Sequence, residues 1–407
     1  MEYWLRYGTT EVPVAVPDEN LIAFLSPLEE STSQSPEQIA TLAIQHKVGD
    51  GTLHDAARSA KKIAIAFNAE CASSSLLAST LATQLTEMNR EHTILIESAP
   101  DLTQPRSSPE LPMRNVDVGH MTVKHDPRSS PVIKVGEIEG GKEVWLNGAF
   151  ADAEIRCVVA NVAVNPFWGY SGGPSLLMPG LASEKTARVL LSSTLKTARL
   201  PGVLSGNATY EILHRVSTTT PIDLAIHTVE RPDGKLAGAF VGHHMETFQQ
   251  ACALSGQLFR RPIQRKADIV IASAGGSTWD RTLFEVSPSL IMSEGACKDH
   301  GILVHVAECP EGVGTLYPPV HRDSRDHPLS GRRSFTPERL LGYSLEKISS
   351  EHRVYLASTL PEHQASRYSL LAARSVGNAF QRALRHAGKD ASVVMMSNAS
   401  VTAPVIG

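Results

Sequence analysis

Residues 61–98 read KKIAIAFNAECASSSLLASTLATQLTEMNREHTILIES. The opening run, KKIAIAF at 61–67, is short, apolar and rich in β-branched isoleucine, which reads as a buried strand. After a small polar turn, Leu77, Leu81, Leu85 and Met88 recur at helical spacing, predicting a helix over 73–88 with one apolar stripe. HTILIES at 92–98 is then a second strand. Strand, helix and strand in this span make one βαβ unit, and that unit implies a parallel sheet with a right-handed crossover.

Working outward, the same grammar returns twice. DIVIASAGG from 268 is a strand ending in a glycine turn, 282–300 is mostly helical, and GILVHVAE is the next strand. RVYLAST, a helix over about 365–386 and SVVMMS repeat it near the C-terminus. The fold class is therefore α/β, with two α/β domains of mainly parallel sheet. The charged stretch FRRPIQRK places the boundary near 260–267, giving domains 1–265 and 266–407. Residues 99–115, with prolines at 100, 105, 109 and 112, and residues 310–337, rich in Pro, His, Arg and Asp, read as long loops.

The length of 407 residues suits two or three domains at about 150 residues each. Hydrophobic residues make up 42% and charged residues 20%, so wholesale disorder is excluded. A net charge of −4, from 38 basic and 42 acidic residues, provides no broad field for phosphate backbones, so nucleic acid is not expected as a partner. No apolar run suggests a membrane span and the N-terminus lacks a secretory pattern, which makes the cytoplasm the expected location. Composition carries no reading of oligomeric state. The five cysteines are odd in number and contain no C-x-x-C, so they read as reduced structural thiols.

Ligands of open α/β sheets bind beyond the carboxyl ends of the strands, and that rule supplies the candidates. The first loop is Asn165-Pro-Phe-Trp-Gly-Tyr-Ser-Gly-Gly-Pro-Ser175, where Asn165, Tyr170, Ser171, Gly172 and Gly173 would bind substrate through hydroxyl, amide and backbone N–H groups. A tight turn around packed aromatics explains the same pattern. The second is Ala274-Gly275-Gly276-Ser277-Thr278-Trp279-Asp280, with Gly275 and Gly276 as backbone binders and Asp280 and the following Glu285 as catalytic candidates. Glu285 has an alternative as a helix N-terminal carboxylate stabilised by the dipole. A third loop, Glu308-Cys309-Pro310-Glu311-Gly312, flanks a proline with two carboxylates. His125, followed by Asp126 as orienter, and Asp101 in the proline-rich loop complete the catalytic list; an exposed turn explains His125-Asp126 equally well. Histidine spacings, including His243-His244, His321 and His327, give no metal set.

In their order these loops resemble the nickel-pincer lactate racemase family. The resemblance rests on KHD at 124–126, Gly140-Gly141 before VWLN, NPFWGYSGG…MPGLASEKT at 165–186 and ADIVIASAGGSTWDRTLFE at 267–285. Weaker similarity runs from YGTTEVPVAVPD near the start to SVVMMSNASVTAP near the end. It implies two α/β domains with a cleft, and a lysine-tethered nickel pincer that removes hydride from a 2-hydroxy acid while histidines move the hydroxyl proton.

Several positions depart from that pattern. The tethering lysine falls at Ser175, a proton-shuttling histidine at Asn165 and the nickel-binding histidine near Leu191. The family's Asp-x-Thr-Arg turn falls at 69–72, which reads AECA, its glutamine at Glu285, a lysine near Pro288, and its other histidine loosely at Pro100-Asp101. The expectation is a divergent enzyme, isomerase or lyase, that handles a small hydroxy- or carboxylate-bearing molecule by acid–base chemistry with neither cofactor nor metal. A non-catalytic small-molecule sensor or partner subunit is the alternative from another class, and nickel-dependent racemisation of a 2-hydroxy acid is the third.

Overall fold

The computed structural model describes residues 1–88, 93–100, 121–316 and 336–407. The chain forms two compact units, each an α/β layer structure. The expected α/β class with mainly parallel sheets is what the chain adopts.

One unit lies between Glu29 and Gln257. Its six strands run Leu236–Gly242, Leu224–Glu230, Ile155–Asn161, Ile63–Phe67, Thr93–Glu97 and Met121–Lys124 across the sheet. All neighbours are parallel except Leu236–Gly242, which turns back antiparallel on Leu224–Glu230. The βαβ unit read from the sequence is present as Ile63–Phe67, Ala72–Met88 and Thr93–Glu97. Alternation sends Ile63, Ile65 and Phe67 to one sheet face, where they pack with Leu77, Leu81 and Leu85 of the helix. Each of those leucines is fully buried, worth roughly 1.5–3 kcal/mol, and Leu81→Ala would cost about 2–5 kcal/mol. Ile63–Phe67 has its sequence successor on one side and the later Ile155–Asn161 on the other. This pair is the topological switch point, where the loops leave in opposite directions and open a crevice.

The other unit combines Met1–Leu28 with Leu258–Gly407. Its sheet is wholly parallel, in the order Leu371–Ala373, Arg353–Ala357, Cys297–Val306, Ala267–Ser273, Val393–Met396, Leu21–Leu25. Here the switch point lies between Ala267–Ser273 and Val393–Met396.

The division differs from the expected 1–265 and 266–407. Leu21–Leu25 is the edge strand on Val393–Met396, and Leu5, Val14 and Val16 of the N-terminal hairpin pack into the core with Ile269, Ile271 and Val304. FRRPIQRK is not a linker, because Arg260–Ile263 is a strand paired with Ala403–Ile406. No local pattern tells a strand which partner it will find hundreds of residues away. The five cysteines are buried and form no disulfide. Among the described residues, no helix is long and apolar enough to cross a membrane.

Candidate functional site

In the unit containing the C-terminus, Ala267–Ser273 ends in Ala274, Gly275 and Gly276. Gly275 and Gly276 have φ of +117° and +89°, and a Cβ on Gly275 would approach Asn398 Oδ1 to 2.6 Å. The N-terminal hairpin is fixed over this turn by three hydrogen bonds. Ser273 Oγ donates to Arg6 O at 2.6 Å, Ser277 N to Gly8 O at 2.7 Å, and Gly8 N to Asp280 Oδ2 at 2.8 Å.

Asp280 is fully buried, and its Oδ2 also accepts from Glu308 N at 3.0 Å. Its Oδ1 is buried without a hydrogen bond, as is Asn398 Oδ1. One carboxylate thus ties the hairpin to the end of the neighbouring strand. The half-buried Glu308 carboxylate packs against Gly8 so closely that any Cβ there would overlap its Oε2. Tyr7 completes the cluster. Burial, then the charges of Glu308, Cys309 and Asp280, push its phenol up to about 12, so it stays protonated as a hydrogen-bond donor.

Glu285 has a local task. Its carboxylate accepts from Thr282 N at 3.2 Å while its own N–H donates to Thr282 Oγ1 at 3.2 Å, a capping box on the helix Leu283–Glu294. Glu311 is also engaged, in a two-pronged pair with Arg281 at 2.9 Å.

In the unit between Glu29 and Gln257, His125 is buried with both ring nitrogens engaged. Nδ1 lies 3.1 Å from the Asn147 amide and Nε2 3.1 Å from Ala182 O. Burial holds its pKa below the ordinary value, so the neutral ring joins three segments. Asp126 does not orient it; its carboxylate accepts from Arg128 N and Ser129 Oγ in an exposed turn. Asp101, His321 and His327 lie outside the described residues.

The glycine loop is packed into its own unit, with residues 164–178 all buried. Asn165 Oδ1 accepts from Phe167 N and Trp168 N at 2.8 and 3.2 Å, which builds the turn. Ser171 Oγ donates to Ala163 O at 3.0 Å, and Tyr170 pairs in register with Val164. Gly172, at φ +72°, lies against the Asn161 carbonyl, and Gly173, at φ +44°, against the Phe248 ring. The observed contacts of this loop are architectural.

At this unit's switch point a residue absent from the sequence reading stands out. Glu230, the last residue of its strand, is 7% exposed and accepts from Ser73 N at 2.8 Å and from Ser73 Oγ. Its N–H donates to Asn161 Oδ1 at 2.9 Å, and Asn161 N donates to Asn68 Oδ1 at 3.2 Å. Its carboxylate occupies the anion position at the N-terminus of Ala72–Met88. The signal available was an acid at a strand's carboxyl end, IHTVE.

The lactate racemase N-terminal domain profile matches residues 7–196 and the lactate racemase C-terminal domain profile matches residues 263–327. The chain belongs to the lactate racemase family. It is 23% identical over 322 residues to a lactate racemase of Thermoanaerobacterium thermosaccharolyticum, covering 76% of this chain and 75% of that one. It is also 24% identical over 189 residues to the lactate racemase of Lactiplantibacillus plantarum, covering 46% and 44%. The lactate racemase apoprotein structure from T. thermosaccharolyticum superposes with a TM-score of 0.81 at 21% identity over the full length of both chains. A Thermotoga maritima protein of solved structure gives 0.61 at 14% identity, covering 93% of this chain and all of that one.

The sequence resemblance places the tether at Ser175 and the metal ligand near Leu191. Ser175 is a buried hydroxyl in the short helix Pro174–Leu177, and Leu191 is an apolar core residue of Glu184–Thr194. The described groups gathered at this switch point are amide, hydroxyl, thiol and carboxylate, from Asn68, Asn161, Ser73, Cys71 and Glu230. Neither an amine for the tether nor an imidazole for the metal is among them.

Proposed function

We propose that this member of the lactate racemase family is an enzyme that moves a proton on a small carboxylate- or hydroxyl-bearing molecule without the nickel pincer. The observation that carries the reading is the Tyr7–Asp280–Glu308 cluster, where Asp280 and Glu308 follow the carboxyl ends of the neighbouring strands Ala267–Ser273 and Cys297–Val306. Glu308 is the proton acceptor, on main chain held by Asp280. The Tyr7 phenol donates a hydrogen bond to a substrate oxygen, while Gly275 and Gly276 let the turn pack closely against Asn398, Gly8 and Arg6. Asp280 is a positioning residue, since its carboxylate is fully buried and engaged on Gly8 and Glu308. Removal of a hydrogen alpha to a carboxylate begins both racemisation and elimination, so isomerase and lyase share this first step.

The test is hydrogen exchange in heavy water over a panel of 2-hydroxy and 3-hydroxy acids, followed by proton NMR. Proton transfer washes the alpha hydrogen into solvent, whereas a hydride held on a cofactor returns to the carbon. The expected result is washout that persists under nickel chelation and disappears in Glu308→Gln. Racemisation that retains the alpha hydrogen would overturn the proposal. A non-catalytic sensor is the second reading: Glu230 fills the anion position at the N-terminus of Ala72–Met88, so that helix end is not available to stabilise a reacting oxyanion. Absence of washout across the panel, with saturable binding of one of its acids, would select that reading.

A further inference from the structure

The helices Leu283–Glu294 and Pro337–Glu351 pack together, and both end on glutamate with no basic residue in the last turn. His352 caps the second helix in extended backbone, so the chain reverses and its ring comes to face the first helix. The side chain is 6% exposed, and its Nε2 lies 3.8 Å from Glu294 Oε1. One ligand atom each from Glu294, Glu351 and His352 lies within 4.8 Å of the other two. The cluster borders an open cavity of about 390 Å³ whose walls include His300, His386, Glu351 and His352.

We propose that Glu294, Glu351 and His352 form a binding site for a divalent transition cation of the zinc class, separate from the candidate catalytic cluster. One imidazole nitrogen and two carboxylate oxygens suit such an ion, and three protein ligands leave a fourth coordination position for water. Zinc holds nitrogen and oxygen at about 2.0–2.2 Å, so the ligand atoms must draw together by an ångström or so. Glu351 can supply that movement: its side chain is 46% exposed, and its loose pair with Lys347, at 3.9 Å, is weak. Lys266 acts electrostatically on the same imidazole and is the opposing charge the ion must outweigh.

The test uses the whole chain, stripped with chelator and desalted, then titrated with zinc by calorimetry and with cobalt(II) by visible absorption. One saturable equivalent is expected, with a tetrahedral cobalt spectrum, a zinc-dependent rise in Tm and no competition from magnesium. Glu351→Gln, at an exposed position that leaves the core intact, and Glu294→Gln should each weaken zinc binding at least about tenfold. Absence of a saturable equivalent in the wild-type chain, or equal affinity in the wild type and both variants, would overturn the site.

Discussion

Asp280 separates two roles that a single substitution would confound. Its Oδ2 takes the N–H groups of Gly8 and Glu308 at 2.8 and 3.0 Å in a fully buried setting. Asp280→Ala leaves both donors without a partner, at about 1–3 kcal/mol each, so a loss of about 2–6 kcal/mol is expected. Asp280→Asn keeps a carbonyl oxygen of the same reach, and exchanging a charged acceptor for a neutral one costs about 1 kcal/mol per bond, or about 2 kcal/mol. Urea unfolding followed by linear extrapolation reads both numbers. Isotope washout should survive in Asp280→Asn, which still positions Glu308, and fall in Asp280→Ala. An Asp280→Ala midpoint equal to wild type would refute the pinning argument, and loss of washout in a stable Asp280→Asn would make Asp280 itself the acid–base group.

Gly172→Ala should destabilise the fold by more than about 2 kcal/mol, since left-handed backbone alone costs about 1–2 kcal/mol and the new Cβ overlaps the Asn161 carbonyl; unchanged unfolding would restore a ligand-facing role for the loop. Acid should weaken the protein through buried neutral histidines: His244 is lowered to about 4 and His305 to about 3, both chiefly by burial. Their unfolded forms take protons near 6.5 while the folded forms resist, so stability is fully present above that pH. It falls as pH drops below, at up to about 1.4 kcal/mol per pH unit for each ring. Urea midpoints at pH 7, 6 and 5 check this, and His305→Gln should flatten the slope; a midpoint independent of pH would contradict it.

The local grammar of the fold was legible. Ile63–Phe67, Ala72–Met88 and Thr93–Glu97 carry their own periodicities, and the carboxyl-end rule led to the turn at Gly275 and Gly276. Thr282-x-x-Glu285 spells a capping box, which explains the Glu285 carboxylate without chemistry. What the sequence hid is contact between distant segments. Gly8 meets Asp280, Glu230 meets Ser73, and Leu21–Leu25 joins Val393–Met396 through tertiary pairing that leaves no local mark. His125 shows the same limit from the other side: a His-Asp pair in sequence separates in space, because Asn147 and Ala182 take both imidazole nitrogens.

Proton transfer without the pincer is tested most directly by the denatured intact mass of the chain, purified from cells that also express the family's cofactor-making proteins. A tethered pincer is covalent and survives denaturation, whereas metal held at surface carboxylates and histidines does not. With Ser175 and Leu191 where the sequence resemblance places the tether and the metal ligand, the account predicts the mass of the unmodified sequence. A covalent adduct on the chain, accompanied by about one nickel per native molecule, would contradict it.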